Sequence, residues 1–284
     1  MAAGRRVALV TGASAGIGCE TALGLARGGF QVVMAGRDAG RLAAARKRVA
    51  ERAGGAAVET ALADFASLAE VRRLAGAVLD SHDRLDLLVN NAGLIAPDYR
   101  RSQDGYELTV AVNHLAPFLL TNLLLDRLRA TAQQNEPARI VTVASQAHRG
   151  ARLDPAALVG AHDWTPLKAY GRSKLCNVLF TRALARRLDG SAVFASCLHP
   201  GVVATAIGDN AGGIAGWGWR LVKPFLTSPE KGAATTLFLA TTADPARYHG
   251  AYVIGRAVTV PDPAAQDDDL AERLWQESAR LVGL

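Results

Sequence analysis

Cysteine is scarce in this 284-residue chain. Cys19, Cys176 and Cys197 show no Cys-x-x-Cys spacing and cannot all pair with one another, so reduced thiols and a cytoplasmic setting are expected rather than a disulfide scaffold. Aromatic residues make up only 6% of the chain, leaving Ala, Gly, Leu and Val to do most of the apolar work. No uninterrupted apolar run reaches the roughly 18 residues of a membrane span, so none is predicted. The start, Met1-Ala2-Ala3-Gly4-Arg5-Arg6, leads straight into a strand-like run without the apolar stretch of a secretory signal. Lysine is also rare: of 32 basic residues only Lys47, Lys168, Lys174, Lys223 and Lys231 are lysines. The net charge is +6, but the arginines are scattered along helix faces, with no basic stripe interleaved with aromatics. Nucleic acid is therefore not expected as a partner. The histidines show no metal-ligand spacing, so no metal is expected. Pro/Ser-rich linkers, internal repeats and low-complexity tracts are missing too, and one domain over 1–284 is the economical reading.

What is present is a sizeable hydrophobic fraction, 50%, arranged as alternating short apolar runs and helical patterns. Strands are expected at 5–11, 30–35, 57–63, 85–90, 139–144, 192–198 and 251–254. Helices are expected at 19–27, 38–52, from the Ser67 cap to 81, 106–130, through Tyr170 to about 188, 229–241 and 267–282. Pro117 falls inside the long fourth helix, where a kink is expected. Seven strands alternating with helices predict an α/β fold: an open, mainly parallel sheet covered on both faces.

Six stretches carry chemistry. Thr11-Gly12-Ala13-Ser14-Ala15-Gly16-Ile17-Gly18 joins the first strand to the first helix, where glycines let the backbone approach a phosphate and the helix N-terminus offers unpaired N–H groups. The second strand ends in Gly36-Arg37-Asp38. A carboxylate ending that strand would bind a ribose 2′-hydroxyl, whereas an Arg accommodates a 2′-phosphate, so Arg37 favours NADP(H) over NAD(H). Asn90-Asn91-Ala92-Gly93 ends the fourth strand, at the sheet edge where ligands of such folds bind. Ser145 stands just beyond the fifth strand, placed to donate to a developing oxyanion. His148 is near it, but no Gly-x-Ser-x-Gly elbow surrounds Ser145, so hydrolase chemistry is not supported. Tyr170-Gly171-Arg172-Ser173-Lys174 puts a phenol and an ammonium four residues apart on one helix face, and a nearby cation lowers a phenol pKa. His199-Pro200-Gly201-Val202 follows the sixth strand as a further loop at the same edge.

In this order, the stretches resemble the short-chain dehydrogenase/reductase family, over almost the whole chain. Val112-Asn113-His114-Leu115-Ala116-Pro117-Phe118, Ser173-Lys174-Leu175-Cys176-Asn177-Val178-Leu179-Phe180 and Arg273-Leu274-Trp275-Gln276-Glu277-Ser278 are similar to its retinol dehydrogenase-type branch. The resemblance implies a Rossmann-type, doubly wound, seven-stranded sheet. It also implies NADP-dependent hydride transfer between the nicotinamide and a small-molecule carbonyl or alcohol. Tyr170 is implied as proton donor and acceptor. Lys174 would lower its pKa and hold the nicotinamide ribose, Ser145 would bond the substrate oxygen, and Asn113 would position a proton-relay water. Cofactor contacts are implied at Gly12, Ser14, Gly16, Ile17, Gly18, Arg37, Asp64, Asn91, Ala92, Gly93, Tyr170, Lys174, Pro200, Gly201, Val202 and Thr205. A homodimer or homotetramer, paired through the helices near 106–130 and 168–188, is implied as well. The Gly- and Trp-containing stretch 207–225, with Ile214, Trp217, Trp219 and Leu221, reads as a lid over an apolar substrate. The competing reading is a non-catalytic dinucleotide-binding sensor with the same fold, which would have no need of Asn113, Ser145, Tyr170 and Lys174 together.

Overall fold

Successive residues of β1 (Val7–Thr11) face opposite sides of the sheet, and the two sides bury different cores. Val7 and Leu9 pack in one, Ala8 and Val10 in the other. The structure, a computed structural model, describes residues 5–133, 136–161, 163–201 and 228–284. Its elements follow in chain order: α1 (Gly16–Arg27), β2 (Gln31–Gly36), α2 (Ala39–Arg52), β3 (Val58–Leu62), α3 (Leu68–Ser81) and β4 (Leu87–Asn90). Next come the long helix α4 (Leu108–Ala132), β5 (Ala138–Val143), α5 (Pro166–Leu188) and β6 (Val193–His199). The chain closes with α6 (Pro229–Thr241), β7 (Tyr252–Ile254), β8 (Ala257–Val258) and α7 (Asp268–Val282).

The strands form one sheet in the order β3-β2-β1-β4-β5-β6-β7-β8, parallel throughout except for β8. Helices α3, α4, α5 and α7 bury their apolar faces on one side, and α1, α2 and α6 on the other. The sheet has eight strands rather than the seven expected. The extra one, Ala257–Val258, is two exposed residues returning antiparallel on β7, too short to leave a hydrophobic pattern. The chain leaves β1 toward β2 and β3, then crosses back to place β4 on the other side of β1. That reversal opens a crevice at the carboxyl ends of β1 and β4.

Side chains cap several of the helices. Asp38, Ser67, Thr165, Ser228 and Asp267 each accept a backbone N–H in the first turn of the helix they begin. The expected kink at Pro117 takes a particular form. Residues Ala111–Leu115 are a π turn, with the Ala116 N–H reaching back to Ala111, and Pro117 lies in the first turn of the α-helical run that follows. Asn113 and His114 both lie in this widened turn. Among the described residues α4 is the one helix long and apolar enough to cross a membrane, but 78% of its most apolar window is buried inside the fold, as a core helix would be.

Helix α7 lies along α5. Asp268 pairs with Arg182 and Arg186, Glu272 with Arg187, and Arg187 sits over the Trp275 ring, 4.0 Å from its centroid. Trp275 in turn stacks on Phe180 and meets Phe118 edge-on, closing a ring cluster between α4, α5 and α7. Beneath it Ser278 Oγ lies 2.8 Å from His114 Nε2. The three cysteines are unpaired and buried. Burial pushes the Cys176 and Cys197 thiols up to about 12, which makes them inert packing residues.

Burial drives His114 from its ordinary 6.5 down to about 3. The folded ring stays neutral where the unfolded one takes a proton. Its contribution is fully present above pH 6.5 and is lost as pH falls toward the folded value, by about 1.4 kcal/mol per pH unit. Chemical denaturation at a series of pH values between 6.5 and 4 should show that slope, and His114→Gln should flatten it by about one proton.

Candidate active site

Two loops meet at the crevice. A Cβ on Gly12 would lie 2.8 Å from Ala92 Cα, so only glycine allows the first loop to touch the Asn-Asn-Ala-Gly turn. Gly12 also has φ +64°, which a side chain would strain. Thr11 Oγ1 accepts the N–H groups of Asn91 and Ala92, both at 2.9 Å, and lies 3.2 Å from Val89 O. Asn91 Nδ2 donates back to Thr11 O at 2.8 Å. The Asn91 amide is therefore directed at the first loop, and Thr11, a motif letter with no assigned part in the sequence reading, is the pin between the two.

Helix α1 begins at Gly16 with Ala15 at its N-cap, no side-chain cap and no acidic residue in the first turn. Its first N–H groups point into the crevice without an internal acceptor, and the helix dipole adds partial positive charge there. A Cβ on Gly18 would meet Gly12 O at 2.4 Å and Asn91 Nδ2 at 2.5 Å, so the helix presses against the loop it follows. Ser14 lies against Gly36 at the end of β2, and the exposed Arg37 next to it makes no hydrogen bond or ion pair with a described residue. Asp38 is turned to its own helix, with Oδ1 accepting from Arg41 N. Asp64, past the end of β3, is half-buried. These features fit a dinucleotide: glycine clearance and an uncapped helix for the pyrophosphate, and at the second strand's end a guanidinium without a partner among the described residues. Ile17 is half-buried in the first turn of α1, and Pro200 and Gly201 follow β6 at the same edge. Val202, Thr205 and the stretch 207–225 lie outside the described residues.

Across the crevice, α5 brings Tyr170 toward Ser145. Ser145 caps a short 3₁₀ turn, its Oγ accepting from Ala147 N at 3.1 Å, and it is hydrogen-bonded with the Tyr170 phenol. Helix α5 can lie this close because residue 171 is glycine: a Cβ there would meet Ala147 O at 2.8 Å. His148 does not engage the Ser145 hydroxyl. Its Nδ1 lies 2.6 Å from the Ser145 carbonyl oxygen and its Nε2 accepts from Asp262 N, so it braces the turn and no Ser–His pair exists.

Lys174 is buried, at 4% exposure, and its Nζ donates to Val143 O at 2.8 Å. The ammonium is 5.5 Å from the Tyr170 ring centroid and close to Gly93, where a Cβ would lie 3.6 Å from it. Burial lowers Lys174 from 10.5 to about 8. The expected lowering of the Tyr170 pKa is not what the structure gives. Burial pushes that phenol up, and the Ser145 hydrogen bond offsets only part of it. Lys174 makes its bond to the Val143 carbonyl and is not among the causes of the Tyr170 shift, so burial decides its direction.

Asn113 reaches the same region from the π turn of α4. Its Oδ1 accepts from Leu94 N at 2.8 Å, and its Nδ2 donates to Leu94 O at 2.9 Å and to Ser173 Oγ at 3.0 Å. The amide thus ties the chain after Gly93 to α5. The sequence reading missed Ser173 and the Val143 carbonyl. Ser173 adjoins Lys174 and was open to notice, whereas a backbone oxygen leaves no trace in residue types.

What this fold and crevice define together is an NAD(P)-dependent oxidoreductase of alcohol or carbonyl groups. A family model described as short chain dehydrogenase matches residues 6–212. Retinol dehydrogenase 13 of Homo sapiens is 40% identical over 293 residues, covering 98% of this chain and 85% of that protein. Dehydrogenase/reductase SDR family member 13 of Bos taurus is 42% identical over 288 residues, covering 98% of this chain and 74% of that one. Among solved structures, an uncharacterized protein from Mycobacterium Paratuberculosis superposes with a TM-score of 0.78 at 34% identity, covering 99% of this chain and 94% of that one. The Pseudomonas aeruginosa RhlG/NADP active-site complex gives 0.70 at 30% identity, covering 90% and 96%. The chain belongs to the short-chain dehydrogenase/reductase family, in its retinol dehydrogenase-like branch.

The glycine clearance can be tested directly. Gly18→Ala should destabilise the fold by about 1–3 kcal/mol through overpacking and weaken NADPH binding at least tenfold, read by thermal unfolding and fluorescence titration. Gly76→Ala on α3, where a Cβ meets nothing within 4 Å, is the control and should do neither.

Proposed function

We propose that the protein is an NADP-dependent carbonyl reductase or alcohol dehydrogenase whose proton-transfer group is Tyr170, acting with Ser145, Lys174 and Asn113. The observation that carries this reading is the convergence of Tyr170, Ser145 and the Lys174 ammonium beside Gly93 at the carboxyl edge of the sheet. When bound, the nicotinamide supplies or takes the hydride. Tyr170 gives its phenolic proton to the substrate oxygen in reduction and receives it in oxidation. Ser145 Oγ donates to the same oxygen as charge develops there. Lys174, held against Val143 O, places positive charge under the phenol and toward the nicotinamide ribose.

Asn113 acts through its backbone as well as its amide. The amide fixes Leu94 and Ser173, while Pro117 removes the N–H four residues on that would otherwise bond the Asn113 carbonyl. That oxygen is then available to a water that returns protons to Lys174. The preference for NADP(H) rests on Arg37, which follows Gly36 at the end of β2, is exposed and has no partner among the described residues, and on the absence of a carboxylate at position 36. The RhlG/NADP complex is a related fold that holds that cofactor. An apolar substrate rests on Ile214, Trp217, Trp219 and Leu221 in the sequence and on the retinol dehydrogenases among the relatives. A cytoplasmic location, on the same reading, rests on the three unpaired thiols. One domain over 1–284, on the same reading, is supported by the single sheet that both halves of the described chain share.

Tyr170→Phe should cut kcat by a factor of about 10³ or more while NADPH affinity stays within a few-fold. A variant with wild-type turnover on a good carbonyl substrate would remove Tyr170 from the proton-transfer role and favour the sensor reading. Arg37→Ser should raise KM for NADPH about tenfold or more and leave KM for NADH unchanged, measured with both cofactors in parallel. A wild-type preference for NADH would overturn the 2′-phosphate assignment.

A further inference from the structure

A buried polar group lies beneath Lys174, and the proton-transfer reading does not use it. Asn177 is three residues further along α5, on the same face of the helix as Lys174, and is 2% exposed. Its Nδ2 lies 3.5 Å from Val143 O, the oxygen that accepts from Lys174 Nζ at 2.8 Å. Its Oδ1 is buried and has no hydrogen-bond partner among the described residues. A buried carbonyl oxygen without a donor is costly to keep. The same amide shares the Val143 carbonyl with a cation that has donors to give. An ammonium carries three N–H groups, and the Val143 carbonyl takes one of those of Lys174.

The groups facing Lys174 leave that need unmet. Tyr170 is the titratable group from α5, Asn113 from α4 and Gly93 from the turn after β4 are neutral, and β5 presents the Val143 carbonyl. His114, next to Asn113, stays neutral near physiological pH. No carboxylate contributes to the Lys174 shift, whose cause is burial. A half-turn of the Asn177 amide about χ2 exchanges its nitrogen and oxygen. It gives up a long contact to Val143 O and brings an acceptor beside the oxygen that Lys174 already touches. A charge-assisted bond to an ammonium is the stronger of the two arrangements.

We propose that Asn177 is a positioning residue for Lys174: with the Val143 carbonyl it forms a seat that keeps the ammonium charged and aimed at Tyr170. The inference rests on the reading of Lys174 as the charge beneath the phenol. It accounts for an asparagine where the helix otherwise buries Leu175, Cys176, Val178 and Leu179.

The test uses the full chain with ¹³Cε-labelled lysine. Five lysines give a readable spectrum, and Lys174→Arg identifies the Lys174 signal. In Asn177→Leu, loss of the acceptor should lower the Lys174 pKa by about one unit, a tenfold change in its protonation equilibrium. In Asn177→Asp a carboxylate should raise it by at least as much. The pH limb of kcat that follows Lys174 should move in the same order, lowest for Leu and highest for Asp, while the KM for NADPH moves less than threefold. Lys174 titrating as in the wild type in folded Asn177→Asp protein overturns the proposal, and so does an unchanged titration in Asn177→Leu. The lysine titration needs no turnover. An active Tyr170→Phe enzyme would therefore sink the proton-transfer reading alone, and an unmoved lysine would sink this one alone.

Discussion

Contact between two backbone segments, Gly12 and Ala92, is the constraint on which the crevice depends. Both follow parallel strands that are neighbours in the sheet although far apart in sequence, β1 and β4. Thr11 Oγ1 locks them by accepting two consecutive N–H groups of the second turn. With the turns held together, α1 can present its uncapped N-terminus from one side while Gly93 leads the chain toward Lys174 on the other. A side chain at Gly12 or Gly18 would wedge this junction apart and disturb both halves of the site.

The opposite wall depends on burial of polar groups rather than on clearance. Lys174, Asn113, Ser173 and Asn177 are all nearly inaccessible, in a layer where α4 and α5 otherwise present leucine, valine and phenylalanine. Polar groups in such a place are rigid when satisfied and costly when not. The π turn in α4 directs the Asn113 amide into this layer, and the Asn113 bonds to Leu94 and Ser173 couple α4 to α5. Helix α7 adds support from behind through Trp275 and through Ser278, which reaches His114 in the same π turn. The C-terminal segment is thus packed one residue away from Asn113, and loosening it would be felt there.

Much of this was legible beforehand because it rests on local rules. Helix starts at Asp38, Ser67 and Asp267 follow from capping chemistry, and strand positions from apolar runs of the right length. The glycine-rich loop, the Asn-Asn-Ala-Gly turn, Ser145 and the Tyr170–Lys174 pair were recognisable as motifs whose order matched one family. Three things were not. The two-residue β8 has no periodicity to detect. The π turn cannot be told from an α turn by residue types, although Pro117 marks its end. The Tyr170 pKa was expected to fall, because spacing on a helix reports proximity to Lys174 and says nothing of how deeply both groups are buried.

The sequence by itself determined most of the element order, the parallel sheet, the glycine-rich turn after the first strand and the placing of the serine, tyrosine and lysine near one another. These depend on contacts within a few residues, or on a pattern that every parallel α/β chain must show. Tertiary structure alone decided which groups Lys174 meets, that Asn91 faces the first loop, that Asn113 braces Leu94, and that His148 serves the turn instead of the Ser145 hydroxyl. Each of these depends on a backbone oxygen or a buried partner brought in from another element. Solvent exclusion then decides which polar neighbours, such as Asn177, are buried with few partners among the described residues.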